Sequence, residues 1–196
     1  LINLYPDHFQ MVHRVILTFM KEEWPINGYL VLHSPQTFHL QANLGIGGVL
    51  FEIASAAKGE VKILQNPSHL PNSWLIQGAA KDIYHLFLLP KAIKAQKGIL
   101  KKLDSQHFLF SLPASHGQLE WIFHRMKGLV AFRHCQNGQI IYQARMEDYK
   151  PSPLWRQPFP HTLIINNYLL KYTLEIKVMQ IMPIDSKLEP SKGKKN

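Results

Sequence analysis

Polar and apolar positions alternate along most of this chain. Residues 38–46 are the clearest early case: Phe38, Leu40, Ala42, Leu44 and Ile46 are apolar, with His39, Gln41 and Asn43 between them. From Val49 onward the apolar residues fall on odd numbers, Val49, Phe51 and Ile53. A period of two marks a strand with one buried face. A change of parity inside such a run marks one inserted residue, and glycine tolerates the backbone that a bulge requires. The pattern predicts a bulge at Gly47 or Gly48. The rival reading is a phosphate-cradling loop, which needs G-x-G-x-x-G opening a helix. Here the third glycine would fall on Leu50, and a strand pattern follows.

The same rule predicts strands in "RVILTFMK" (Arg14 to Lys21), "YLVLH" (Tyr29 to His33) and "KGEVKILQ", with turns in "EEWPING" and "SPQ". The period then changes. Asn66 to Ser73 is rich in proline, and Ser73 is a candidate N-cap. In "WLIQGAAKDIYHLFLL" the residues Leu75, Ala79, Ile83, Leu86 and Phe87 recur at helical spacing, and Pro90 ends or kinks the run. A second helix is predicted in "KAIKAQKGILKKL". Lys91, Lys94, Lys97 and Lys101 share one of its faces, with Ile93, Ile99, Leu100 and Leu103 on the other. After Asp104 the strands return as "HFLFSL", "LEWIFHR", "LVAFRH", "QIIYQARM", "HTLII" and "YLLKYTLEIKVMQI". In the last of these Tyr168, Leu170, Tyr172, Leu174, Ile176 and Val178 share one parity. "CQNGQ" carries the Asn-Gly hairpin signal.

Strands, then helices, then strands, with no βαβ alternation, exclude a doubly wound parallel sheet. The expectation is an α+β fold: one curved antiparallel sheet, an open half-barrel, with a central helical insertion covering its concave face. About ten strands with one apolar face each tend to curl. Residues 1–182 form one domain in this reading, and 183–196 a disordered basic tail.

Composition narrows the partners. Hydrophobic residues make up 46% of the 196, which argues against disorder. No apolar run approaches the ~20 residues of a membrane-spanning helix. The net charge of +9 points to anionic partners. Five of the 22 basic residues sit in "KAIKAQKGILKK". That lysine face reads either as solvated surface or as docking to an anionic membrane. Nucleic acid would call for interleaved exposed aromatics or a known module, and neither is present, so it is not an expected partner.

Catalytic chemistry finds little support. Cys135 is the single cysteine, which excludes an internal disulfide and a cysteine-built zinc site. There is no H-E-x-x-H, no H-x-H and no G-x-S-x-G. His124 and His134 are a conceivable cross-strand pair. Asp82 and His85, at i and i+3, read as a surface contact. Cys135 and His134 are strand neighbours that point to opposite faces, so they form no dyad. The expectation is a non-enzymatic protein with no catalytic residue, no metal and no cofactor.

The aromatics carry more. Phe108, Phe110, Trp121, Phe123, Phe132, Tyr142 and Tyr172 all take the inward parity. Most must be packed core, yet a curved sheet lined this way can enclose an apolar cavity of acyl-chain size. Its candidate lining is Phe51, Phe110, Trp121, Phe123, Phe132, Tyr142, Leu170, Tyr172, Leu174 and Ile176.

Three stretches, "LGIGGVLFEI", "KGEVKILQ" and "LPNSWLIQGAAKDIYHLFL", together with the closing "FPHTLIINNYLLKYTLEIKVMQI", resemble the bacterial lipoprotein-carrier and outer-membrane-lipoprotein group typified by LolA and LolB. The likeness is to predicted lipoproteins related to that group and covers roughly residues 12–182. It implies an open curved sheet closed by helices around an acyl-chain cavity. It also implies a periplasmic, outer-membrane-anchored protein that handles lipid or lipoprotein. The lipobox cysteine of such an anchor would precede Leu1. The protruding apolar-tipped loop of LolB has no match here, so the expectation is binding or transfer of a lipid-like ligand. The alternative is a structural or scaffolding lipoprotein with a filled core and no small ligand.

Overall fold

The computed structural model describes residues 8–33, 37–45, 47–55, 60–66, 73–88, 98–152 and 154–184. Twelve strands form one antiparallel sheet. They are β1 (His8–Phe19), β2 (Glu22–His33), β3 (Thr37–Leu44), β4 (Val49–Ser55), β5 (Val61–Gln65), β6 (Ile99–Lys102), β7 (His107–Ala114), β8 (Gly117–His124), β9 (Gly128–Gln136), β10 (Gln139–Ser152), β11 (Trp155–Asn167) and β12 (Tyr172–Met182). The spatial order is β5-β4-β3-β2-β1-β12-β11-β10-β9-β8-β7-β6. The chain starts at the middle of the sheet, meanders out to β5, crosses to the opposite edge at β6 and meanders back. The sheet is open, because β5 and β6 are edges and do not pair with each other. Between them runs the helix α1 (Ser73–Ile83), which continues into a π-helical turn, Tyr84–Leu88.

Parity decides the faces. On β1 the odd residues Phe9, Met11, His13, Val15 and Leu17 are buried, while Gln10, Val12 and Arg14 are not. On β2 the inward set is even, Ile26, Gly28, Leu30 and Leu32, as the register Leu17↔Trp24 and Val15↔Ile26 requires, and Val31 on the other face is buried too. Ile76, Ala80, Ile83, Leu86, Phe87 and Leu88 of the helical segment join these residues in one core. The Phe9 ring meets Phe87 at 6.2 Å and Phe159 at 6.0 Å, edge to face.

Several local expectations are corrected. The parity change near residue 48 is real, but the glycines are not the bulge. Gly47 and Gly48, at φ 93° and 97°, make the hairpin turn between β3 and β4. The extra residue is Leu50: Asn43 pairs with Val49 and Ala42 with Phe51. "EEWPING" is not a turn but the first half of β2, and the turn lies at Met20–Lys21, both at positive φ. Residues 99–102, expected in a lysine-faced helix, form strand β6, so Lys101 lies exposed on an edge strand beside Leu109 of β7. Lys91, Lys94 and Lys97 lie outside the described residues, as does the tail from 185. The run 168–181 is not one strand: Tyr168 to Lys171 form the turn from β11 into β12. The Asn-Gly signal is met by Asn137 and Gly138, at φ 50° and 76°, which join β9 to β10.

Candidate ligand cavity

The inner face of the sheet is divided. On β7 to β10 it carries a ladder of rings. Phe110 lies 6.1 Å from Trp121, Trp121 lies 5.1 Å from Phe132, and Phe132 lies 5.6 Å from Tyr142. Trp121 and Phe132 are completely buried. The π-helical turn caps the ladder: the His85 ring packs on Phe132 at 5.0 Å, and Trp121 Nε1 donates to the His85 carbonyl at 3.2 Å. Desolvation drives the His85 pKa down to about 3, with Lys81 and His134 adding to the effect. This half is solid.

The central half is different. Between α1 and strands β1 to β4, β11 and β12 lies a cavity of about 90 Å3. Its lining is mostly aliphatic: Met11, Val15, Leu17 and Ile26 from β1 and β2 and, beside them on the same sheet face, Leu163, Ile165, Leu174 and Ile176 from β11 and β12. Four β1 residues, Met11 to Leu17, face it in succession. Six steps of ~3.3 Å from Met11 to Leu17 make that row about 20 Å long. Ile83, Leu86 and Phe87 cover it from the helical side. Ala42, a small residue, also lines it.

Of the residues expected to line a cavity, Phe51, Tyr172, Leu174 and Ile176 do so. Phe110, Trp121, Phe123, Phe132 and Tyr142 are buried in the core but do not line it. Leu170 sits in the β11–β12 turn, where its backbone N–H donates to Asn167 Oδ1 at 2.9 Å, and it is also outside the lining. The β1, β2 and β3 residues were not singled out by the sequence reading, because parity marks the inner face without saying where that face is hollow.

Two polar groups interrupt the apolar lining. Asp82 is buried, not a surface residue paired with His85. Its Oδ2 accepts the Tyr172 hydroxyl at 2.8 Å. Desolvation raises its pKa to about 7, against smaller opposing effects of Tyr172, Tyr142 and Lys81. The Tyr142 hydroxyl, nearby and buried, lies outside hydrogen-bond geometry. Burial and the neighbouring Asp82 hold both tyrosine hydroxyls in their protonated form.

His13 lies further along the β1 wall. It faces Gly28 across the β1–β2 pair, and a Cβ at that position would collide with its Nε2. Glycine is what lets the ring lie against β2. Burial lowers the His13 pKa to about 4, against a weaker pull from the Met11 carbonyl, and Nδ1 makes no hydrogen bond.

The remaining polar pairs lie elsewhere. His39 and Glu52 meet at 2.6 Å, partly exposed. His124 pairs with His107, their rings 5.1 Å apart, and not with His134, which faces Leu119. Among the described residues no cluster of three metal-ligating side chains occurs. No described helix is long and apolar enough to cross a membrane.

The arrangement has known counterparts. No protein-family model and no curated protein matches the sequence. Solved structures do match. A LolA superfamily protein from Nitrosomonas europaea superposes with a TM-score of 0.65 over 93% of this chain and 89% of its own, at 10% identity. The fold is LolA-like. An outer membrane lipoprotein-sorting protein domain from Vibrio parahaemolyticus gives 0.53 over 94% and 88%, at 12% identity. A DUF1329 family protein from Desulfovibrio piger gives 0.55 over 93% and 88%, at 7% identity. At these identities the likeness is one of fold. The cavity is described by its own residues.

Proposed function

We propose that this protein is a non-enzymatic carrier that holds the apolar chain of a lipid or lipoprotein in the cavity beneath α1. One observation carries the reading: a cavity lined almost entirely by apolar side chains lies between α1 and the sheet along β1 and β12. Apolar cavities of this order bind apolar guests; an engineered one of about 150 Å3 takes up benzene. A full acyl chain needs more room than about 90 Å3. The cavity as it stands takes up part of such a chain. The LolA-like fold supports the reading, since one structural relative is named for lipoprotein sorting. Under it the protein works in the periplasm, anchored to the outer membrane by a lipidated N-terminus, with an anionic membrane surface as its docking partner. Lys101 is exposed on β6 as such docking would need.

The test is uptake of a fluorescent fatty-chain probe, with mass spectrometry of any lipid that co-purifies. Leu174→Glu puts a charge on the cavity wall, where it would be buried unpaired and costly. It should abolish uptake, while Lys177→Gln on the exposed face should leave uptake unchanged. A wild-type protein that takes up no probe and carries no lipid overturns the reading and leaves a packed scaffold in its place.

A further inference from the structure

An apolar chain needs only an apolar wall, yet this cavity has a carboxyl in it. Asp82 projects from α1 into the lining, and one of its oxygens is engaged by Tyr172. A carboxylate has about four acceptor sites, so capacity remains. The groups facing it are the Tyr172 and Tyr142 hydroxyls from the sheet, with Lys81 beside it on its own helix. Lys81 is exposed, and among the described residues no cation pairs with Asp82. His13 lines the same cavity six residues along β1 from Phe19, the residue paired with Tyr172, and is neutral.

We propose that Asp82 and its tyrosines form a head-group subsite for the N–H donor of an amide or amine on a long apolar chain, and that they disfavour a carboxylate head. The proposal rests on the carrier reading above. The Tyr142 hydroxyl beside Asp82 is buried without a hydrogen-bond partner, and a ligand N–H can donate to that oxygen or to the remaining acceptor sites of the carboxylate. A charge-assisted bond from an ammonium is stronger still. A carboxylate placed there would set like charge beside like charge where screening is weak. It enters only if Asp82 takes up a proton. Burial of the site lets that proton be held near neutral pH, so discrimination belongs to the ionised form.

The experiment loads wild-type protein with N-phenyl-1-naphthylamine and displaces it with dodecylamine, dodecanamide or dodecanoate. All three carry the same chain. At about pH 8.5, where Asp82 is ionised, amine and amide should displace the probe at roughly tenfold lower concentration than the acid, about 1.4 kcal/mol. In Asp82→Asn, with displacement measured against that variant's own probe affinity, amine and acid should come within about threefold of each other. The wild-type protein alone supplies a second measurement: its preference for amine over acid should shrink as pH falls to about 5.5, since the carboxyl takes up its proton over that range. Probe uptake with no head-group preference in the wild type, or an unchanged preference in Asp82→Asn, overturns the subsite but leaves the carrier. Absence of probe uptake overturns both.

Discussion

The two halves of the inner face use the same backbone and reach opposite ends. Strands β7 to β10 carry Phe110, Trp121, Phe132 and Tyr142, whose rings touch in sequence across four strands. Strands β1 to β3 and β12 carry Val15, Leu17, Gly28, Ala42, Leu174 and Ile176, which leave a void. Both sets obey the same alternation. Side-chain volume, not strand pattern, decides whether a half-barrel is a core or a container.

The sharpest way to break the contrast is to hollow the solid half. Trp121→Ala removes the largest completely buried side chain. It should cost about 3–5 kcal/mol, read from denaturant unfolding. A cost below about 1 kcal/mol would mean that the ladder is as loosely packed as the cavity.

The next test is electrostatic. The Asp82 pKa is raised in the folded state, to about 7 from 3.8. Between those values the unfolded chain has released the proton and the folded chain still holds it, so stability falls as pH rises and levels off above 7. Asp82→Asn lacks this loss. Its thermal midpoint should rise relative to wild type across that range, by the equivalent of a few kcal/mol at most, at about 1.4 kcal/mol per pKa unit. A constant difference would show that the carboxyl is not desolvated.

His13 works in the opposite sense. Its folded pKa, about 4, lies below the ordinary 6.5. Acidification through that window protonates the unfolded chain first and destabilises the fold. His13→Gln should flatten that acid limb in a pH series of unfolding curves, an effect of up to about 3 kcal/mol.

The smallest stability effect comes from filling the hollow half. Ala42→Phe adds a ring where the cavity has space. Elsewhere overpacking costs about 1–3 kcal/mol; here the change should stay under about 1 kcal/mol while probe uptake is lost. A large destabilisation would show that the cavity wall cannot accommodate bulk.

Much of this was legible in the chain. Alternation located the strands, and the strand–helix–strand order announced one antiparallel sheet with an insertion. Asn137-Gly138 marked its hairpin by turn chemistry alone. Residues 99–102 were misread because "GILKK" fits a helical stripe as well as a four-residue edge strand, and only pairing with β7 decides between them. Asp82 was misread because its partner, Tyr172, lies 90 residues away. No local spacing reports such a contact. The cavity was half legible: Leu174 and Ile176 followed from parity, whereas nothing local to Met11, Val15 or Ala42 says that the face they share is hollow.

The meander also begins and ends at the centre of the sheet. Gln10 and Met182, 172 residues apart, are partners there. Every other strand pair joins neighbours in sequence, so two arms, β1 to β5 and β6 to β12, can each zip up from local hairpins. The seam between β1 and β12 is the one long-range closure, and non-local pairing of this kind slows folding. Until it closes, each arm shows an open edge and an uncovered apolar face, the features that invite aggregation. A chain that emerges N-terminus first has to keep β1 unpaired on one side until β12, its last strand, arrives.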